Sequence, residues 1–174
     1  MFPDGLPSDL RIARLTADET LPLRQHVLHP SKPIDDVKLT EDADGDHFGA
    51  FVTGQESPVA VLSLFFQRIP LAVPIDGDVE GNNPDTTCDN SVRLRKFACD
   101  PLYQGKGIGT HLLMYALSIV RSEKGVTQVW CDARVMTKGW YENRGLEAFG
   151  ETFFKGTVEH IRMKVLIQKV VGSP

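Results

Sequence analysis

Apolar and polar residues alternate through Leu10–Leu15, the period of a half-buried strand. Thr16 and Asp18 then offer caps for a helix running to about Val27, with Leu21 and Leu23 among its apolar positions, and Pro30 and Pro33 end it. Residues 31–46 are polar and acidic, which predicts a short helix or loop over one edge. Strands are predicted at 47–53 and 59–66, joined by a Gly54-Gln55-Glu56-Ser57 hairpin turn. Two more are predicted at 92–99 and 126–132. Between them lies the clearest helical stripe in the chain, Ile108, Leu112, Ala116 and Ile119, with Leu113, Leu117 and Val120 beside it and a Lys124-Gly125 stop. A short helix at 138–143 ends at Arg144-Gly145, and strands at 146–154 and 158–167 follow. Residues 71–90 are rich in Pro, Gly, Asp and Asn and read as an extended loop between the third and fourth strands, not a domain boundary. The element order is α+β, with a strand–loop–helix–strand unit at its centre, and a length of 174 residues predicts one domain over 1–174.

Composition narrows the function classes. Hydrophobic residues make up 41% and charged residues 24%, the balance of a soluble globular protein. A net charge of −4 argues against a general nucleic-acid binder, which needs a basic surface, while leaving room for a local basic patch. Cys88, Cys99 and Cys131 form an odd set with no zinc-type spacing, so the sequence predicts no metal and a reducing compartment. The amino terminus lacks the basic start and apolar run of a secretory signal, and no apolar stretch is long enough to span a membrane. The expected location is the cytoplasm. Exposed edges of the late strands are compatible with a homodimer.

The candidate chemistry sits between the fourth strand and the long helix, in Gln104-Gly105-Lys106-Gly107-Ile108-Gly109-Thr110. A helix start offers unpaired N–H groups and a positive dipole end, and glycines let an anion approach the backbone. Lys106 and Thr110 can add a charge and a hydroxyl. The physics points to phosphate or pyrophosphate. A nucleoside-triphosphate loop would end in Gly-Lys-Ser/Thr, but Gly107 follows Lys106. A dinucleotide fingerprint needs a third glycine where Leu112 stands, or Thr110 if it is counted from Gly105. The remaining pattern, Gln/Arg-x-x-Gly-x-Gly/Ala, is filled by Gln104, Gly107 and Gly109.

At these residues the chain resembles the GCN5-related N-acetyltransferase (GNAT) superfamily. The resemblance follows the element order along nearly the whole chain and is specific over 92–146. It implies a mixed, mostly antiparallel central sheet with helices on both faces, splayed between the fourth and fifth strands. It also implies acetyl-coenzyme A as cosubstrate, with residues 104–110 on its pyrophosphate. Phe97, Ala98 and Cys99 then stand where the family uses backbone groups. The Phe97 N–H would polarise the acetyl carbonyl and Cys99 would pair with pantetheine. Tyr141, in Trp140-Tyr141-Glu142-Asn143-Arg144-Gly145, matches the family's proton donor to the leaving thiolate. The acceptor would be a small-molecule or protein amine.

Two positions depart from the pattern. Arg93 stands where many relatives carry a Glu base, and Arg134 where many carry Asn. A guanidinium cannot deprotonate an amine near neutral pH, so the base is unassigned. His47, Glu41 and His26 qualify by residue type alone, and His111 reads as structural or near the cofactor. Arg93, Arg95 and Arg134 can instead hold an anionic group on the acceptor. Strand alternation puts Arg93 and Arg95 on one face and Lys96 on the other. A non-catalytic acyl-coenzyme A sensor and transfer of a longer acyl group are the alternative functions.

Overall fold

A computed structural model of the protein describes residues 9–70 and 90–171. Its elements are β1 (Leu10–Leu15), α1 (Ala17–Leu28), β2 (Asp46–Val52), β3 (Ala60–Phe66), β4 (Ser91–Cys99) and α2 (Ile108–Lys124), followed by β5 (Gln128–Arg134), α3 (Lys138–Glu142), β6 (Glu147–Lys155), β7 (Val158–Leu166) and α4 (Ile167–Val171). The hydrogen-bonded strand order is β1-β2-β3-β4-β5-β7-β6. The pairings β1–β2, β2–β3, β5–β7 and β6–β7 are antiparallel and β4–β5 is parallel. This is the expected mixed, mostly antiparallel α+β fold. The loop expected at 71–90 lies, apart from Asn90, outside the described residues.

The chain forms two compact units, and β4 and α2 each contribute to both. The first unit ends at Phe65 and resumes over Leu94–Ile119. Its β1 aligns with β2 from Leu10↔Val52 to Leu15↔His47. Thr16 starts α1 through a capping box with Glu19, whose carboxylate accepts the Thr16 N–H at 2.7 Å. Such a cap contributes about 1 kcal/mol. Leu23 of α1 packs with Val61 of β3 and Ala98 of β4, flanked by Leu15, Val27 and Leu28. The stripe predicted for α2 is real, and Leu112, Leu113, Ala116 and Leu117 are buried. Residues 31–46 hold two single 3₁₀ turns, Ile34–Val37 and Asp42–Asp44.

In the second unit, Ser91, Val92 and Arg93 pair with Gln128, Val129 and Trp130, and the β4–β5 ladder ends there. On its other edge β5 pairs with β7 along its whole length. β6 follows β7 with a register shift between Phe149 and Phe153. Strand β5 begins two residues later than expected, because Thr127 donates its N–H to Asn90 O at 2.9 Å in the turn before the ladder. The short α4 was not expected from the sequence.

Candidate active site

In the first unit, β4 loses its regular alternation at Lys96, whose φ of 52° makes it the one non-glycine residue with positive φ among those described. Such a conformation is uncommon for lysine. Arg95, Lys96 and Phe97 are all half-buried in succession, rather than alternating as predicted. Ala98 then re-enters the core.

Beyond Cys99, the Asp100 N–H bonds Val59 O at 2.9 Å and its carboxylate accepts the Leu102 N–H at 2.9 Å. Gln104 Nε2 donates to Cys99 O at 2.9 Å, which ties the loop back to the strand end. Gly105 and Gly107 have φ of 75° and 79°, and residues 104–107 are exposed. A Cβ at Gly105 would meet nothing within 4 Å, so glycine is required there by the backbone and not by crowding. Lys106 Nζ lies 5.1 Å from the Tyr103 ring centroid. His111, one turn into α2, lies 3.0 Å through Nδ1 from Gly107 O. That carbonyl can only accept, so Nδ1 carries the proton. Ile108 is buried and anchors the helix start. Exposed left-handed glycines running into a helix N-terminus fit a bound pyrophosphate, since they open the backbone where the dipole is positive.

The same unit holds a polar cluster, linking α1, β2 and β3, that the sequence did not reveal. Arg24 is fully buried and donates to Asp42 Oδ2 at 2.7 Å and to Ser63 Oγ at 2.7 Å. His47 Nε2 lies 2.8 Å from Asp42 O, which fixes the proton on Nε2 and leaves Nδ1 to accept from Ser63 at 2.7 Å. Burial works against the Asp42 carboxylate, but Arg24 and the Leu39 N–H overcome it and hold its pKa below the ordinary value. His47 is thereby committed to structure. Arg95 is ion-paired with Glu41, and His26 is exposed. Lys96 Nζ lies 3.1 Å from His29 Nε2.

In the second unit, Arg93 is buried, bonds Asp132 Oδ2 at 2.5 Å and Gln67 Oε1 at 3.2 Å, and lies over the Trp130 ring. Asp132 also bonds Lys155 at 2.8 Å and Arg162 at 3.4 Å. Burial raises its pKa, and these cations outweigh that to keep it below the ordinary value. Tyr141 hydrogen-bonds Cys131, and burial, reinforced by Cys131, raises the phenol's pKa well above 10. Burial likewise raises the Cys131 thiol. Arg134 ends β5 half-buried, opposite His160. Among the described residues no group of three or more His, Cys, Asp or Glu could hold a metal ion, and no helix is long and apolar enough to cross a membrane.

Comparison with known proteins bears on the family and the fold. The profile of the acetyltransferase (GNAT) domain matches residues 85–167. The uncharacterized N-acetyltransferase YitI of Bacillus subtilis (strain 168) is 30% identical over 157 residues, covering 88% of this chain and 94% of that protein. Among solved structures, a candidate N-acetyltransferase from Lactobacillus plantarum superposes with a TM-score of 0.69 at 16% identity, covering 92% of this chain and 99% of that one. ElaA of Escherichia coli gives 0.63 at 16% identity, covering 89% and 98%. At such identities the structures support the fold alone, whereas the Bacillus relative carries the family. The chain belongs to the GNAT superfamily and is an acyltransferase that uses acetyl-coenzyme A as cosubstrate.

Proposed function

We propose that the protein transfers acetyl to an amine by direct attack, and that residues 104–110 hold the cosubstrate's pyrophosphate. The observation that carries this reading is the exposed loop with left-handed Gly105 and Gly107 at the start of α2. When bound, acetyl-coenzyme A supplies the activated acetyl thioester. In this reading the Phe97 N–H donates to the acetyl oxygen, where a fixed donor aimed at developing charge lowers the barrier. Backbone groups of Ala98 and Cys99 align the pantetheine arm. The Cys99 thiol takes no part as nucleophile, and burial followed by Asp100 raises its pKa, which favours the unreactive form.

Tyr141 is the proposed proton donor to the departing sulfur. Burial keeps the phenol protonated, so its O–H is held as a donor that can hydrogen-bond the departing sulfur, while the same rise in pKa makes it a weaker acid. On the acceptor side, Arg93 and Arg95 already have carboxylate partners in Asp132 and Glu41. Arg134 is therefore the member of the basic set proposed to hold an acidic acceptor. The proposed setting is the cytoplasm. Thiol release from acetyl-coenzyme A across a panel of amines, run beside thermal shift, tests the reading. Stabilisation by the cosubstrate without turnover on any amine would replace it with a sensing module.

A further inference from the structure

The sequence leaves the transferase without a base, since Arg93 occupies the position where many relatives carry Glu. We infer that Lys96, seated on the left-handed residue of β4 and in contact with His29, is the base that removes the acceptor's ammonium proton. This rests on the acetyl-transfer reading above.

Three observations carry it. Lys96 immediately precedes Phe97, so one peptide link joins the proposed base to the proposed oxyanion donor. Its φ of 52° interrupts strand alternation at that link and brings a half-buried lysine among half-buried Arg95 and Phe97. Its Nζ then reaches His29 Nε2 at 3.1 Å, at the C-cap of α1. The three residues that qualified by type in the sequence are committed elsewhere or placed apart. His47 is locked by Asp42 O and Ser63, Glu41 is paired with Arg95, and His26 is exposed on α1.

The charge around Lys96 suits the task. Burial, then Arg95 of its own strand, Arg24 of α1 and Lys32 beyond α1 disfavour its ammonium form, and Asp42 opposes them more weakly. The C-terminal end of α1 is a further, weaker opposing influence. Together these lower the Lys96 pKa from 10.5 to about 8. At pH 8 about half of it therefore carries a free electron pair, against roughly one part in 250 for an ordinary lysine.

The step balances without any further reactant. The acceptor ammonium gives one proton to the Lys96 Nζ electron pair. The freed nitrogen pair forms the C–N bond at the acetyl carbon, the C–S bond breaks, and its electrons leave on the coenzyme A sulfur. In net terms, the new amide nitrogen sheds its second proton to solvent and the coenzyme A sulfur takes one up from solvent, so this exchange balances. Lys96 returns its proton to water through His29, so one proton is released per turnover.

Two measurements on the full chain test this. In ¹⁵N-lysine NMR, the resonance missing from Lys96→Arg identifies Lys96, and a titration midpoint near 8 is expected. A midpoint of 10 or above overturns the proposal without reference to catalysis. With an acceptor amine titrating above 9, wild-type kcat/KM should show a limb near pH 8. Lys96→Met should lower kcat by about 10²-fold or more and lose that limb, while the thermal shift with coenzyme A persists. Lys96→Arg should not rescue, because a guanidinium accepts no proton. His29→Gln should displace the limb with a smaller loss of rate. Rescue by arginine, or near wild-type kcat in a folded Lys96→Met, refutes the base. If the methionine variant does not fold, the arginine variant and the NMR midpoint decide. A midpoint near 8 with no amine acetylated by the wild type removes the transferase reading itself, and the base role with it.

Discussion

Arg24→Met probes the buried polar cluster that links α1, β2 and β3. Methionine retains much of the arginine stem, so the change removes charge and hydrogen bonds with little loss of volume. It leaves the Asp42 carboxylate, 1% exposed, with the Leu39 N–H at 2.8 Å as a donor and with Oδ1 already lacking a partner. Ser63 and His47 can still satisfy each other at 2.7 Å, so the cost falls on Asp42. Removing one member of a buried ion pair costs about 3–5 kcal/mol. At about 2–4 °C per kcal/mol for a chain of this size, Tm should fall by about 6–20 °C.

Adding Asp42→Leu should recover most of that loss, because the stranded charge goes with it. About 1 kcal/mol should remain for the Leu39 N–H left without its acceptor. Urea unfolding followed by circular dichroism measures the cycle at pH 7, and its pH dependence checks the cause. The Asp42 pKa is depressed in the folded wild type, so its contribution is present above the unfolded carboxylate value near 4 and is lost as pH falls through the folded value. The difference between wild type and Arg24→Met should therefore narrow below about pH 5. Additive single costs, or a difference unchanged down to pH 3, would show that the pair does not hold the unit together.

Three further outcomes follow from the site. Tyr141→Phe should lower kcat by about 10²-fold and leave the KM for acetyl-coenzyme A within about twofold, and an unchanged kcat removes the phenol from proton transfer. Gly107→Ala meets His111 at an ordinary 3.7 Å, so its penalty is the left-handed backbone, about 1–2 kcal/mol. Calorimetry should accordingly show coenzyme A binding weakened about tenfold, and equal affinity would mean that the loop binds in another conformation. Arg134→Ala should raise KM about tenfold for a carboxylate-bearing acceptor and leave a neutral amine unaffected, whereas equal effects on both argue against an anion contact.

What the sequence disclosed tracks how local each determinant is. Helix α2 was legible because a complete apolar stripe from Ile108 coincides with a glycine entry and a Lys124-Gly125 exit. Strand β1 was legible from six alternating residues. The left-handed glycines of the loop were legible because glycine is the residue that adopts that backbone cheaply. Lys96 adopts it without any such signal, so the break in β4 was hidden. The Arg24 cluster was hidden for another reason, since its partners lie 18, 23 and 39 residues away and an arginine beside Leu23 reads as the wet face of α1. The available hint was His47 and Ser63 interrupting otherwise apolar strands.

These concealed features share one consequence. Residue type located the basic side chains near β4, but their effective charge depends on neighbours that the linear pattern cannot place. Arg93 shares Asp132 with Lys155 and Arg162, Arg95 is paired with Glu41, and the pKa of Lys96 is lowered to about 8. A count of cations would predict a strongly anion-attracting acceptor side. The structure instead pairs two of them with carboxylates and depresses the third. A lysine with a lowered pKa next to the proposed oxyanion donor suits an acceptor that arrives as an ammonium ion and must lose its proton, which is the chemistry amine acetylation requires.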